Sequence, residues 1–577
     1  MRSIAGQLNA VLSSREKKQI AGLIIMMFFG GIMELLGVSL VFPLISVAMD
    51  TDSGILNRLT AAGVDMSRYE LIIALAVSLM VIYVLKNLYL TFMYHRIFSF
   101  IKDGIADTSA RMFSLFIKAP YDIFMERDSA ELERIVRSDV EGMYRVLKPL
   151  LQILSEVMIC VILGALLFIT DWKMSLFLVL FIGIIDGFFI LRSKKMVARL
   201  GDEDIEARTL MMRDVMSAFG GIKELKILGT EDYFTNLYTS DRRHAADCEG
   251  KQQFYIQIPR LLTETVCVIA LMIIMLAVTV SGRDINTMIP VFAVFAVAAF
   301  RLLPSVGKIN GFINEIAFNR PSLESMCKEL DMIKEFAETS GKRKDSDVPA
   351  QTVQTVIEKI EFKNVSFKYS RGAEILKNVN LEIKKGETIG VVGKSGAGKT
   401  TFVDLLMGLL TAESGEICIN DVNIDSVRRT WMMSIGYVPQ DIYLANSTVL
   451  ENVAFGTKAE EIDRDRVREA LVLAQAYDFV EKMDKGMDTL IGERGVRLSG
   501  GQRQRLGIAR ALYRKPEVMI FDEATSSLDN NTEDAFIEAV SSLKGSHTII
   551  MIAHRVETLA ICDRIYEVRD GSVVINK

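Results

Sequence analysis

The stretch that most constrains this chain is a glycine-rich run at 393–400 with the pattern G-x-x-x-x-G-K-T. The apolar run from Thr388 to Val392 predicts a strand before it, and Thr401 to Leu410 predicts a helix after it. In that context the glycines let backbone N–H groups close around phosphate oxygens. The helix N-terminus and Lys399 add positive charge, and Thr400 offers a hydroxyl to Mg²⁺. A glycine-rich turn that matches by chance is the alternative.

The nucleotide-contacting residues of this loop are expected to be Gly393, Ser395, Gly396, Gly398, Lys399, Thr400 and Thr401. A second apolar run, Val518 to Phe521, ends in the carboxylates Asp522 and Glu523. A buried strand that delivers two acids beside a phosphate loop suits metal-assisted phosphoryl chemistry. We expect Asp522 to orient Mg²⁺ and Glu523 to polarise the attacking water as general base.

The run Leu498-Ser499-Gly500-Gly501-Gln502 precedes a predicted helix and forms a second candidate anion site. Ser499 is a good N-cap, and the glycines expose backbone N–H groups at the positive end of the helix dipole. One nucleotide cannot easily use two helix N-termini of one compact domain, whereas a phosphate held between two subunits can. Because the chain has one copy of each element, we predict a homodimer with two composite sites.

Composition indicates a membrane part joined to a soluble part, since 50% of the 577 residues are hydrophobic and 24% are charged. A net charge of −5 argues against nucleic acid as the main partner. The six cysteines are scattered and show no C-x-x-C spacing. We interpret them as ordinary buried thiols, with no metal site and no disulfide framework.

Six segments are long and apolar enough to cross a bilayer: 20–48, 71–94, 147–169, 174–191, 256–280 and 285–304. The connectors at 95–146 and 192–255 are rich in Lys and Arg, and the other connectors are not. This asymmetry predicts that both termini and the two long connectors lie in the cytoplasm of a plasma (inner) membrane protein. The long connectors have a helical pattern and are expected to continue the spans.

Several charged residues fall inside these spans: Glu34, Lys86, Asp186, Arg260, Glu264 and Arg301. Each is unfavourable in hydrocarbon unless it faces a wet cavity or a partner. Pairing, for example of Arg260 or Arg301 with Glu264, and snorkelling of Lys86 are the structural interpretations. The functional interpretation, which Arg260 and Arg301 favour most, is a cationic cavity for an anionic cargo.

These features predict four parts: an amphipathic N-terminal helix at 1–18, a membrane domain at 19–338, a polar linker at 339–352, and a nucleotide-binding domain at 353–577. A disordered leader is the alternative for the first part. Between the first two spans, an apolar patch at Ile55, Leu56 and Leu59 suggests a short outer helix, or an ordinary loop.

The order of motifs in the C-terminal part resembles the ATPase domain of ABC transporters. The residues that carry the resemblance are the loop at 393–400, Gln440 after the strand Ile435 to Val438, the LSGGQ run at 498–502, Asp522 with Glu523, Ser527-Leu528-Asp529, and His554. The resemblance implies an ATP hydrolase with Mg²⁺ as cofactor, six spans fused to an α/β ATPase domain, and coupling helices near 120–125 and 222–228. It also implies that His554 contacts the γ-phosphate, that Gln440 acts in catalysis and joins Thr400 and Asp522 on Mg²⁺, and that Tyr369 stacks on adenine. For Tyr369, a half-buried strand aromatic is the alternative.

A narrower resemblance lies in the membrane part, where I-P-R at 258–260 and F-R-L-L-P-S at 300–305 look similar to PglK-type flippases of lipid-linked oligosaccharides. It implies a positively charged cavity for the pyrophosphate and sugar of the cargo, with Lys86, Arg260 and Arg301 at the positions of the family's cavity arginines. Lys86 departs from the arginine of that family, keeping the charge but losing bidentate geometry. We therefore expect an ATP-driven flippase of a polyprenyl-pyrophosphate glycan. An exporter of another amphiphile, an ATP-gated channel and a transport-silent regulator are the rivals.

Overall fold

The computed structural model describes residues 3–40, 44, 47, 67–125, 127–280, 285–341, 357–369, 374–524, 530–553 and 557–576. The chain forms two compact units. The first comprises residues 1–119 and 126–335, and the second comprises residues 120–125 and 336–577. The predicted outer patch at 55–59, most of the linker, and the Ser527-Leu528-Asp529 and His554 motifs lie outside the described residues.

The first unit is all helical. In chain order its α-helices, with the short α4 of the second unit included, are α1 Ile4–Val11, α2 Ser14–Ser39, α3 Arg68–Ile117, α4 Asp122–Met125, α5 Ser129–Arg134, α6 Val140–Thr170, α7 Trp172–Gly220, α8 Ile222–Leu228, α9 Glu231–Val280 and α10 Ile285–Gly341. A π-helical turn, Ile135–Asp139, joins α5 to α6. Among the described residues, five helical stretches are long and apolar enough to cross a membrane. Four belong to α2, α3, α7 and α9, and the fifth, Ala130–Ile169, contains most of α6.

Local sequence signals explain where these helices begin. Ser67 and Glu70 exchange side-chain and backbone hydrogen bonds at the start of α3, which satisfies amide groups that the first turn would otherwise leave unpaired. The carboxylate of Asp171 accepts hydrogen bonds from the backbone N–H groups of Lys173 and Met174 at the start of α7. Another reciprocal pair, Ser13 with Glu16, lies at the start of α2, so the polar residues 14–18 belong to the first long helix.

The predicted continuation of the spans into their connectors is present in the structure. Helix α3 runs past the apolar segment 71–94 to Ile117, and α7 runs past 174–191 to Gly220. Short helices lie at 122–125 and 222–228, where coupling helices are expected, and their coupling role stays a prediction. Apolar side chains of α3, such as Ile73, Val77 and Met80, are exposed, as they would be on a face that meets lipid.

The second unit contains two sheets. Its strands are β1 Lys359–Lys368, β2 Glu374–Lys384, β3 Thr388–Gly393, β4 Ser414–Ile419, β5 Val422–Asn423, β6 Ile435–Val438, β7 Val518–Asp522, β8 Thr548–Ile552, β9 Arg564–Arg569 and β10 Ser572–Ile575. The first sheet is antiparallel, in the order β2-β1-β4-β5. The second has the order β10-β9-β3-β8-β7-β6, and all its neighbours are parallel except β10 with β9.

The α-helices of this part of the unit are α11 Lys399–Leu406, α12 Ile424–Met433, α13 Val449–Val453, α14 Arg464–Leu473, α15 Tyr477–Glu481, α16 Gly500–Tyr513 and α17 Asn530–Leu543. Strands β7 and β8 are buried along their whole length, as expected for central parallel strands covered on both faces. The parallel order brings the carboxyl ends of β3, β8, β7 and β6 to one edge. That edge is where parallel sheets place ligands.

One close contact in the first unit requires a glycine. A Cβ built on Gly201 of α7 would lie 2.1 Å from the carbonyl oxygen of Phe318 on α10. Because that neighbour is backbone, the two helices would have to separate to admit a methyl group. A Cβ built on Gly250 of α9, by contrast, would have open space around it.

We therefore predict that Gly201→Ala destabilises the protein by about 1–3 kcal/mol, which is the usual effect of overpacking. Thermal unfolding of the detergent-purified protein measures this. Gly250→Ala is the control and should unfold at the wild-type temperature or slightly above, because alanine favours helix. Equal melting temperatures for the two variants would contradict the assigned contact.

Candidate nucleotide-binding and hydrolysis site

The loop between β3 and α11 is held in a shape that only glycines permit at two positions. Gly396 and Gly398 have φ of 78° and 104°, in the left-handed region. A Cβ on Gly398 would lie 2.8 Å from a side-chain carbon of Ile375, and one on Gly393 would lie 2.6 Å from the carbonyl oxygen of Val568. The loop is therefore a bare backbone cradle at the start of a helix, which fits a phosphate group.

Lys399 links this cradle to the end of β7. Its ammonium donates hydrogen bonds to the carbonyl oxygens of Gly393, at 3.0 Å, and Lys394, at 3.4 Å. It also lies 3.7 Å from a carboxylate oxygen of Glu523, and its side chain is 6% exposed. The predicted phosphate-binding lysine and the predicted general base thus share one site.

The strand ends bring the other predicted residues to the same edge. Asp522 ends β7, and Gln440 follows β6, the strand paired beside it. Thr400 lies in the first turn of α11. Hydroxyl, carboxylate and amide oxygens are the hard donors that Mg²⁺ prefers, so this set fits that ion.

The carboxyl of Asp522 is buried and accepts a hydrogen bond from the hydroxyl of Tyr437, at 3.3 Å. Burial raises its pKa, and the neighbouring charge of Glu523 raises it further, while the hydrogen bond and Lys399 act in the opposite direction. Tyr437 lies within β6 and was not predicted as a site residue. Only the pairing of β6 with β7 places its hydroxyl there.

Glu523 adopts a left-handed backbone conformation, with φ of 48°. Such a conformation costs a non-glycine residue about 1–2 kcal/mol, so surrounding contacts must hold it. Its backbone N–H donates to the carbonyl oxygen of Ile552, at 3.0 Å, which anchors the turn to β8. In this conformation a carboxylate oxygen of Glu523 lies 3.7 Å from the ammonium of Lys399.

Tyr369 is half-buried at the end of β1. Its hydroxyl lies 3.0 Å from that of Thr401 on α11, and its ring meets that of Phe367 edge to face. The tyrosine directly follows β1 and lies beside the phosphate-loop helix, a position compatible with both sequence interpretations. Its role in stacking on adenine stays a prediction.

The LSGGQ run forms the N-terminus that its sequence predicts. The hydroxyl of Ser499 accepts from the backbone N–H of Gln502, and the Gln502 side chain accepts from that of Ser499. Gly500 has open space around its Cβ position, and Gly501 is buried. Helix α16 shares a hydrophobic core with α13 and α14, whereas α11 belongs to a separate core. The contact of this run with a phosphate stays a prediction.

Helix α16 also supports the site through contacts that sequence reasoning missed. The buried amide of Gln504 donates to the carbonyl oxygen of Ala524, the residue after Glu523. Arg510 donates to the carbonyl oxygen of Tyr443, at 2.6 Å, and to both the backbone and side-chain oxygens of Asn452. These bonds tie α16 to the turn of Glu523 and to the loop that follows Gln440.

Asn452 is the centre of that second connection. It is 1% exposed, and its side chain exchanges hydrogen bonds with the backbone of Ala445, at 2.9 and 3.0 Å. The side chain thereby closes the loop at 439–448 into a fixed shape. Nothing in the local sequence distinguishes it from a helix-cap asparagine.

Of the residues predicted for a cationic cavity, Lys86 does not fit that role. Its ammonium lies 3.3 Å from a carboxylate oxygen of Glu34, and the two side chains are 4% and 1% exposed. Burial in apolar surroundings selects pairing, because an uncompensated charge there would be far more costly. Lys86 is therefore neutralised inside the first unit, and snorkelling is not needed to explain it.

Arg260 behaves differently. It is exposed on α9, and within the described residues no acidic group lies within ion-pair distance of its guanidinium, including Glu264. The side chain of Arg301 lies outside the described part of the chain.

The long apolar helices and this phosphate-loop edge define the class: a membrane protein that binds and hydrolyses a nucleoside triphosphate. A model of the ABC transporter family matches residues 376–526. The ATP-dependent lipid A-core flippase of Escherichia coli K12 is 30% identical over 475 residues, which cover 80% of this chain and 76% of that protein. The chain therefore belongs to the ABC transporter family, and it is an ATP hydrolase of that family.

Other relatives agree with this assignment. The ATP-dependent lipid A-core flippase of Ralstonia nicotianae is 29% identical over 472 residues, covering 80% of this chain and 77% of that protein. The heterocyst differentiation ATP-binding protein HepA of Nostoc sp. PCC 7120 is 29% identical over 460 residues, covering 78% and 72%. A solved bacterial Atm1-family ABC exporter with ATP bound superposes with a TM-score of 0.74, at 23% identity over 97% of this chain and 94% of that one. The predicted fold class, a helical membrane domain fused to an α/β ATPase domain, is confirmed.

Removing the side chain of Asn452 tests its role in shaping the loop. We predict that Asn452→Ala lowers ATP turnover about tenfold while nucleotide binding persists, because Gln440 loses its fixed approach to the site. Steady-state phosphate release and binding of a fluorescent nucleotide measure the two effects. Asn380→Ala, an exposed asparagine on β2, is the control, and equal turnover in both variants would contradict the role.

Asp404 on α11 gives a pH-dependent prediction. Burial, and next the charge of Asp522, raise the pKa of Asp404 to about 6. A folded-state pKa above the unfolded value means that ionised Asp404 opposes folding above pH 6, and that the effect disappears below about pH 4. Asp404→Asn should therefore stabilise the protein by about 1–3 kcal/mol at pH 7.5 and much less at pH 4.5.

Thermal unfolding of the full chain at the two pH values measures this difference. Asp484→Asn, in an exposed loop, should change the melting temperature equally little at both. A stabilisation by Asp404→Asn that does not shrink with falling pH would show that lost ionisation is not its cause.

Proposed function

We propose that the chain is half of a homodimeric, ATP-driven flippase that moves an anionic lipid-linked glycan from the inner to the outer leaflet of the plasma membrane. A polyprenyl-pyrophosphate oligosaccharide is the cargo class. The observation that carries the cargo proposal is Arg260, whose exposed guanidinium stands on an apolar stretch of α9 without an acidic partner among the described residues. A cation in such a place is unfavourable unless it serves a wet cavity or an anion.

The energy source follows from the site. When bound, Mg²⁺ would neutralise charge on the terminal phosphates of ATP. The backbone of 393–398 and the ammonium of Lys399 hold the phosphates, and Glu523 accepts a proton from the attacking water. Gln440 and His554 are proposed to position that water and the γ-phosphate. The left-handed backbone of Glu523 and its 3.7 Å approach to Lys399 place the carboxylate beside the phosphate loop, where a water for in-line attack would lie.

The homodimer is supported by the positions of the two anion sites, the phosphate loop and the LSGGQ run. The phosphate loop and the LSGGQ run rest on different hydrophobic cores of the same unit. Ser499 is exposed, and the space around the Cβ position of Gly500 is open, so a partner could approach this helix start. Two chains arranged head to tail would let each LSGGQ run complete the partner's phosphate site, giving two composite sites.

The apolar part of the cargo has a candidate position in the first unit. A cavity of about 360 Å³ lies among α6, α7, α9 and α10, with mostly apolar walls that include Leu167, Leu178 and Val306. One wall holds the buried carboxyl of Asp186, which accepts a hydrogen bond from Thr263 at 3.0 Å. The relatives named as lipid A-core flippases move a lipid, which supports an amphiphilic cargo here.

An exporter of another amphiphile is the second candidate. It is favoured by the neutralised Lys86, because two of the three residues predicted for the cavity, Arg260 and Arg301, are then left to attract an anion. The two candidate functions differ in the charge of the cargo, which is anionic for the lipid-linked glycan and need not be for another amphiphile. Both termini are proposed to lie in the cytoplasm, since the basic connectors at 95–146 and 192–255 favour that side.

Charge removal at Arg260 tests the cargo. In proteoliposomes, Arg260→Gln should lower ATP-dependent leaflet exchange of a polyprenyl-pyrophosphate glycan about tenfold or more, while basal ATP hydrolysis stays near wild type. Arg243→Gln removes a charge from the exposed surface of the same helix and should transport normally. Unchanged transport by Arg260→Gln would favour the uncharged amphiphile.

Glu523→Gln tests the hydrolytic role separately. Because an amide cannot accept the proton of water, hydrolysis should fall about 100-fold or more while ATP still binds and closed dimers accumulate. Phosphate release and size-exclusion chromatography with ATP measure both effects. Glu538→Gln on the exposed face of α17 is the control, and near-normal turnover by Glu523→Gln would refute the assignment.

A further inference from the structure

Three side chains with metal-binding atoms meet between α7 and α9. Nε2 of His244 lies 3.9 Å from a carboxylate oxygen of Glu203, and Sγ of Cys248 lies 3.9 Å from the same oxygen. One ligand atom from each of the three residues lies within 4.8 Å of the other two. None of these residues belongs to the ATP site or to the proposed cargo path.

The helical hairpin creates this cluster. His244 and Cys248 are four residues apart on α9 and so share one face of the helix. Helices α7 and α9 are joined through the short α8 and pack along each other, which brings Glu203 opposite that face. The spacing H-x-x-x-C supplies two ligands from the sequence, and only the hairpin supplies the third.

Glu203 has different partners from the two neighbouring acidic residues. Asp204 and Glu249 are both held by Arg208, at 2.8 and 2.6 Å. The carboxylate of Glu203 instead faces the imidazole and the thiol. Burial is graded across the cluster, since Cys248 is 1% exposed and His244 is exposed. The arrangement has a closed base and an open mouth through which an ion can enter.

We propose that Glu203, His244 and Cys248 bind a divalent cation of the zinc class, with water at the fourth position. Thiolate and imidazole select Zn²⁺ over Mg²⁺ or Ca²⁺, which take oxygen ligands. Bonds of about 2.0–2.3 Å in a tetrahedron separate ligand atoms by roughly 3.5 Å, so small side-chain rotations complete the site. Binding releases the thiol proton of Cys248 to solvent. The ion would join α7 to α9, which revises the sequence interpretation of Cys248 as an ordinary thiol.

Cobalt substitution tests the site directly. The full chain, purified in detergent without a histidine tag and stripped with chelator, is titrated with Co²⁺. One Co²⁺ per chain should bind with a thiolate-to-metal charge-transfer band that added Zn²⁺ abolishes. Cys248→Ser should lose the band. Cys418→Ser should keep it, because that thiol lies 4.0 Å from a carboxylate oxygen of Glu416 in an acid–thiol pair like that of Cys248.

Two further variants keep the test decisive if a serine at the buried position disturbs folding. His244→Ala and Glu203→Gln change less buried side chains, and each should weaken Zn²⁺ affinity at least about tenfold in competition with a chromogenic chelator. Basal ATP hydrolysis should stay at the wild-type level in both and reports an intact fold. A wild-type protein that hydrolyses ATP but shows no charge-transfer band, or variants with unchanged affinity, would mean that the cluster is only an ion pair with a neighbouring thiol. The result is independent of the cargo, because transport is not measured.

Discussion

The parallel register of β3, β8, β7 and β6 is the constraint on which the catalytic half of this protein depends. It aligns the carboxyl ends of strands that are far apart in the chain, and so brings the phosphate loop to the two acids after β7. The 3.7 Å separation of Lys399 and Glu523 is its measurable result. A one-residue slip of β7 would turn Asp522 to the opposite face of the sheet and remove it from this edge.

Helix α16 connects the catalytic turn to the LSGGQ run. Its N-terminus presents the LSGGQ run, while Gln504 and Arg510 on the same helix hold the turn of Glu523 and the loop after Gln440. A helix that contacts three functional segments couples their positions, because shifting one of them would break hydrogen bonds made by Gln504 or Arg510. This gives a physical route by which a contact at Ser499 could alter the geometry at Glu523.

The membrane half follows a different rule, in which every buried polar group needs a partner within the unit. Lys86 forms an ion pair with Glu34, and Asp186 accepts a hydrogen bond from Thr263. Glu156 accepts a hydrogen bond from Lys308 at 2.9 Å. Arg260 has no acidic group within ion-pair distance among the described residues, which makes it informative about the cargo. Close backbone approach at Gly201 lets α7 and α10, two of the helices that bear these groups, pack in direct contact.

The motifs of the ATP site were predictable because each is local: the glycines, Lys399, Asp522 and the Ser499 cap are recognised from neighbours a few residues away. The long apolar spans were predictable for the same reason, since each is a run of consecutive residues. Contacts between residues distant in the chain were not predictable. The hydrogen bonds of Tyr437 to Asp522 and of Arg510 to Asn452 were missed, and so was the ion pair of Lys86 with Glu34.

The sequence by itself therefore determined the family, the chemistry of phosphate binding and the order of the helices, since short-range backbone preferences and apolar runs encode them. Only the tertiary structure decided which charges are neutralised, which side chains brace the catalytic turn, and that Glu203 meets His244 and Cys248. These outcomes depend on the packing of helices and strands that no linear spacing specifies.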